Sequence, residues 1–216
     1  MKKSMLLGLI SSIFLLGGCG GMVNQNGSEN FTDAPDTAAF KDEFTKDFLV
    51  SNKEVKEGFY LFDSATKGYQ FHFPVNGFIE KEIYERNGDE FESVSFFDNK
   101  LKEENLLMYY RIIYEDSKLS SDIELSLDLL KSKVDFEGEY EEYTINNSTY
   151  YYGENISEYE GHKSYLFFTL IKPDGNDKGV SFVAEISCDD ISKQCTPDSS
   201  HVKDRIKEIM HSFDFE

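Results

Sequence analysis

A chain of 216 residues with 39% hydrophobic and 29% charged side chains can bury one substantial core but hardly two, so one globular domain with appendages is expected. Its 41 acidic residues face 22 basic ones, a formal charge of −19, which argues against a nucleic-acid or anionic-membrane binder that works through counterion release. The 19 Phe and 13 Tyr beside only 4 Pro point to packed β-structure instead of disorder.

The chain starts with a short basic end, Lys2 and Lys3, followed by an apolar run from Met5 to Leu16. That run falls short of the roughly 20 residues needed to span a hydrocarbon core, and it reads as a signal peptide over residues 1–18. It ends in Leu16-Gly17-Gly18-Cys19, which resembles the lipobox of bacterial lipoproteins. The resemblance implies cleavage before Cys19, a diacylglyceryl group on its sulfur, and residence at the extracytoplasmic face of a bacterial cell membrane. Loss of Lys2 and Lys3 leaves 20 basic and 41 acidic residues, net −21, so the lipid and not a polybasic patch would be the anchor. Residues 19–35 then read as the lipidated cysteine and a Gly/Asn/Ser-rich tether, and residues 36–216 as the domain.

From Thr37 to Val50 the residues Phe40, Phe44 and Phe48 stand four apart, with Asp36 as a candidate N-cap, and the spacing predicts an amphipathic helix. Its Phe stripe could lie on a membrane or partner; because the segment is not basic, docking on the domain is the preferred reading. Gly58–Phe62 and Tyr69–Phe73 read as an antiparallel pair, and Phe78–Arg86, Phe91–Phe97 and Leu106–Tyr114 continue the pattern, with Asn87-Gly88 as a turn and a meander as the simplest topology. Ser121 and Glu124 have capping-box spacing, opening a central helix on Leu119, Ile123, Leu127, Leu130 and Val134. Tyr140–Ile145, Ser148–Tyr152, Lys163–Lys172 and Val180–Cys188 read as further strands, and Val202, Ile206, Ile209, Met210 and Phe213 share one face of a closing helix. The fold class is α+β: an antiparallel sheet flanked by two or three helices.

The strand Gly68-Tyr69-Gln70-Phe71-His72-Phe73-Pro74, with an aromatic following at Phe78, resembles the opening of PsbP-like domains, and Ser212-Phe213-Asp214-Phe215 is similar to their helix-to-strand finish. The resemblance covers about residues 57–216. It implies a helix-flanked antiparallel sheet that binds other proteins and shares no catalytic apparatus.

With Cys19 taken by the lipobox, Cys188 and Cys195 remain, and an exported chain makes a disulfide their natural pairing; a redox or metal pair is the alternative, at a spacing that fits neither. Asp174, Asn176, Gly179 and Glu185 fall at positions 1, 3, 6 and 12 of an EF-hand-like loop, but Lys178 occupies a ligand position, so a hairpin turn is the better reading. His72, His162, His201 and His211 have no metal-ligand spacing, Ser117-Lys118 and Ser132-Lys133 are only adjacent pairs, and no metal, cofactor or catalytic set is assigned. Glu137, Glu139, Glu141 and Glu142 form an acidic stretch, either a docking patch for an envelope protein with a basic patch or a solvated strand face that discourages edge pairing. The sequence therefore points to a membrane-anchored, non-enzymatic lipoprotein that binds a protein or assists envelope assembly. A solute-binding subunit of a transporter and an envelope hydrolase are the alternatives.

Overall fold

Alternating aromatic residues decide where the sheets lie. In the computed structural model, which describes residues 34–118, 120–159 and 161–216, Tyr69, Phe71 and Phe73 of β2 (Tyr69–Pro74) are fully buried on one face, while Gln70 and His72 are partly exposed on the other. β2 pairs antiparallel with β1 (Phe59–Asp63) across the expected turn. Gly68 in that turn is required: a Cβ there would lie 2.2 Å from the Tyr114 hydroxyl. The signal peptide, Cys19 and the tether as far as residue 33 lie outside the described residues.

The other strands form an eight-stranded antiparallel sheet. They are β3 (Gly77–Ile79), β4 (Glu85–Asn87), β5 (Phe91–Asp98), β6 (Leu106–Asp116), β7 (Glu141–Ile145), β8 (Ser148–Tyr159), β9 (His162–Pro173) and β10 (Lys178–Cys188). The order β3-β5-β6-β10-β9-β8-β7, with β4 also on β5, corrects the expected meander. β10 folds back between β9 and β6, and β1 and β2 leave this sheet for a small one of their own, closed by β11 (Asp214–Phe215). That small sheet stacks its aromatic face on the inner face of the large one: between ring centroids Phe73 lies 5.0 Å and Phe71 6.0 Å from Phe96, and Tyr69 5.1 Å from Tyr114. Such offset and edge contacts add to the burial of each ring.

Three local expectations change. The predicted Thr37–Val50 helix is two short helices, α1 (Ala38–Lys41) and α2 (Glu43–Lys46), because Asp42 adopts extended φ/ψ and its carboxylate accepts from the Thr45 backbone N at 2.7 Å. Asp36 is not a cap; Thr37 holds that place for α1. The Phe residues nonetheless turn inward, with Phe40 and Phe48 buried and Phe44 packed against the core. Phe78–Arg86 is not one strand but β3, a 3-10 turn over Lys81–Ile83 and β4, since exposed Lys81, Glu82 and Ile83 give that stretch no buried face. Helix α3 (Ile123–Val134) is capped by Asp122, whose carboxylate accepts from Leu125 N at 3.1 Å, one residue beyond the predicted Ser121 cap. It is not central: it packs on the outer face of the large sheet, against Leu166, Phe168 and Leu170.

Helix α4 (Ser200–Met210) behaves as its periodicity predicts, burying Val202, Ile206, Ile209 and Met210 in the main core before the chain pairs with β2 through β11. At the β7–β8 hairpin, Asn146 and Asn147 both adopt positive φ, the backbone that a two-residue type I′ turn needs. The fold is α+β in a single domain.

Candidate functional site

The two faces of the large sheet differ. Its inner side chains are sealed by the small sheet and α4, whereas the outer face is covered only in part, by α3 and the chain that leads from it into β7. Pleating puts Tyr109, Arg111, Ile113 and Glu115 of β6 on that outer face, beside Ser181, Val183 and Glu185 of β10 and Leu166 and Leu170 of β9.

Both ends of α3 are tied down. At its start, Lys172 donates to the carbonyls of Ser120 (2.7 Å), Asp177 (3.1 Å) and Lys178, binding the approach to α3 onto the β9–β10 turn. Burial lowers the Lys172 pKa, an effect opposed by Asp177, Asp116 and Glu115. At its end, Asn155 of β8 donates to the carbonyls of Val134 (2.9 Å) and Asp135 (2.8 Å), which satisfies the last turn. Gly153 makes room for the Phe168 ring, which meets Phe136 edge to face at 5.0 Å between centroids, since a Cβ there would stand 2.5 Å from the Phe168 ring.

Between those ties α3 bridges a groove with two adjoining hollows that share Lys133. One, of about 130 Å³, is lined by Ile113, Glu115, Ser126, Leu129, Leu130 and Gly179 among others. The other, of about 260 Å³, is lined by Tyr109, Arg111, Val134, Ser157, Leu166, Val183 and Glu185. Lys133 stands exposed at the mouth, and lost hydration, with the nearby Arg111 charge, lowers its amine from the ordinary 10.5 to about 8. Arg111 Nε is buried and has no hydrogen-bond partner among the described residues. Ser95, opposite Arg111 in the β5–β6 register, and Ser93, opposite Ile113, are buried with hydroxyls in the same condition. Glu185 is held by the Ser164 hydroxyl at 2.6 Å.

Comparison with known proteins assigns the chain to a family. The family model described as "Putative lipoprotein YvcA" (YvcA_Mog1p) matches residues 35–214. The chain belongs to this family. It is 25% identical over 236 aligned residues to "Putative lipoprotein YvcA" of Bacillus subtilis (strain 168), across 100% of this chain and 97% of that relative. Two solved structures are similar in part. A crystal structure from Bacteroides thetaiotaomicron VPI-5482 has a TM-score of 0.44 at 12% identity over 74% of this chain, which spans 49% of that longer one. The solution structure of cyanobacterial PsbP (CyanoP) from Synechocystis sp. PCC 6803 has a TM-score of 0.34 at 15% identity, over 78% of this chain and 99% of that one.

Within this YvcA-family domain, Cys188 and Cys195 form a disulfide with Cα atoms 5.8 Å apart, clipping the loop after β10. Cys19 lies outside the described residues. Glu137, Glu139, Glu141 and Glu142 are all exposed on edge strand β7 and the segment leading into it, a placement that protects an unpaired edge. Asp174 and Asn176 sit in the β9–β10 hairpin, whereas Glu185 is carried along β10 to Ser164, so the EF-hand-like spacing makes no loop. His72 contacts Glu208 at 2.9 Å, His201 contacts Glu104 at 2.8 Å and His211 contacts the Tyr143 hydroxyl at 3.0 Å. His72, Glu208 and Ser212 have the residue types of a hydrolytic triad, but Ser212 Oγ accepts from the His72 backbone N at 2.8 Å and donates to the Ile209 carbonyl, so it does not address the imidazole.

Arg111 and Lys133 were not legible as a pair. Arg111 reads as an outward residue of an alternating strand, and Lys133 as half of an uninformative Ser-Lys doublet; only the packing of α3 on β6 and β10 joins them.

Proposed function

We propose that this protein is held at the extracytoplasmic face of a bacterial membrane by a lipid on Cys19 and acts there as a non-enzymatic binding module, with the groove beneath α3 as its binding face. The observation that carries the reading is the contrast between the two faces of the large sheet. The inner face is spent on an aromatic core, while the outer face keeps a part-covered groove that holds two unpaired cations in an acidic chain. Membership of a lipoprotein family supports the anchor, and the tether gives the domain reach from the membrane plane.

A photo-crosslinking side chain at Leu129, exposed on α3 at the groove, tests this in intact cells against one at Ile83, exposed on the far edge of the sheet. Adducts formed from Leu129 and absent from Ile83 are the expected result. Equal labelling from both, or none from Leu129, overturns the assignment of the groove as the binding face.

A further inference from the structure

We infer that the groove beneath α3 binds a small amphiphilic oxyanion, with a phosphate-monoester or carboxylate head between Arg111 and Lys133 and a short apolar body against Val134, Leu166 and Val183. This rests on the reading of the groove as the binding face and adds the chemistry of what enters it.

The first argument is charge. The other two arginines of this acidic chain are tied to carboxylates, Arg86 to Asp89 and Arg205 to Asp98, as are lysines such as Lys56, Lys67 and Lys203, while exposed lysines such as Lys53, Lys100 and Lys102 are not, among the described residues. Arg111 and Lys133 have no such partner among the described residues, although carboxylates outnumber cations almost two to one in the sequence. They stand close enough for the charge of one to depress the pKa of the other, an arrangement that costs free energy until an anion sits between them. The larger hollow carries Arg111 and Lys133 against Glu185 alone, and Glu185 is engaged by Ser164, so the hollow has an excess of one positive charge in a chain of net −19.

The second argument is hydrogen bonding. A buried guanidinium Nε–H without an acceptor is expensive, and Arg111 lines the hollow that would hold one. An oxyanion accepts from the guanidinium edge and from the lysine amine together, in charge-assisted bonds stronger than neutral ones.

The third argument is shape and sign. A hollow of about 260 Å³ is below the usual size of a drug-like pocket and suits a head group with a few carbons. Glu185 in its lining, Glu115 in the adjoining hollow and the charge of the whole domain repel a polyanion while tolerating a compact one.

The test uses the full-length protein in phosphatidylcholine nanodiscs, titrated by calorimetry with hexyl phosphate, hexanoate and inorganic phosphate. Saturable binding of hexyl phosphate or hexanoate in or below the millimolar range, tighter than inorganic phosphate, is expected, and which of the two binds more tightly identifies the head. Lys133→Gln and Arg111→Gln should each weaken binding about tenfold or more, the loss of one charge-assisted contact. Lys163→Gln, at an exposed position on β9, should leave it unchanged. Lys133 is exposed, so its replacement keeps the fold and keeps the test decisive even where Arg111→Gln disturbs the sheet. No saturable binding of any of the three probes, or binding unaffected by Lys133→Gln, overturns the inference; adducts at Leu129 in cells would still stand, since a neutral partner can occupy the same groove.

Discussion

Arg205 of α4 donates through Nε to Asp98 Oδ2 of β5 at 2.5 Å, with the two side chains only 12% and 0% exposed. The guanidinium also lies 4.9 Å above the Phe59 ring, so one side chain ties the closing helix to both sheets. Asp98 in turn accepts from Lys100 N at 3.0 Å, which turns the chain out of β5.

Removing one partner of such a pair strands the other charge in a poorly hydrated place. Arg205→Met should therefore destabilise the domain by about 3–5 kcal/mol, whereas the Asp98→Asn/Arg205→Met double variant should cost clearly less than the sum of the single changes. Urea unfolding of the three variants measures this; additive losses would mean that the pair is not coupled.

Glu92 sets a pH dependence of unusual sign. It is fully buried, accepts from the Tyr84 hydroxyl at 2.8 Å and the Ala65 backbone N at 3.1 Å, and burial raises its pKa despite those bonds. The folded state thus holds this proton more tightly than the unfolded chain does, and the Glu92 contribution to stability falls as pH rises from the ordinary glutamate range through the raised value. In Glu92→Gln the amide oxygen keeps both acceptor roles and the charge is gone. The stability of wild type relative to Glu92→Gln should therefore decline between acid and neutral pH in paired urea titrations; a constant difference would show that Glu92 is not the titrating group.

Cys188 and Cys195 enclose eight residues, and the loop-entropy relation gives about 2.5 kcal/mol for such a link. Cys195→Ser should lose roughly that much, and the unreduced wild type should be lighter than its dithiol by the two hydrogens of oxidation, about 2 Da. Two freely alkylated thiols in oxidised material would contradict the pairing.

Much of this arrangement follows from local pattern. The alternation Tyr69-Phe71-Phe73 and the 3.6-residue spacing of Val202, Ile206 and Ile209 each specify an element and its buried side, and the export-type signal with two cysteines left beside the lipobox points to the disulfide. Non-local choices are not written that way. Nothing near β6 states that β10, some seventy residues on, will pair with it from Leu106↔Cys188 to Asp116↔Lys178. The far half of β8 was likewise hidden, because Glu154, Asn155, Ser157 and Glu158 are polar and are strand only through pairing with β9. The groove inherits this limit: Arg111 and Lys133 meet only after strand order and helix placement are both decided.

The anchor has its own test. Cys19→Ala should release the protein from the membrane fraction or stall its processing, because no other lipidation residue stands in the lipobox-like segment. Full retention with normal cleavage would refute lipid anchoring.

The central claim, an oxyanion-binding groove on the outer face of the sheet, is tested most directly at one atom. In protein labelled with 15N at arginine, the Arg111 Nε–H signal can be followed as hexyl phosphate is added to the full-length chain in nanodiscs, with Lys133→Gln as reference. The account predicts a saturable downfield shift and slower solvent exchange at Arg111 Nε, weakened in the Lys133→Gln variant, with Arg205 Nε unmoved because Asp98 already holds it. An Arg111 signal that stays in place at saturating probe would contradict it.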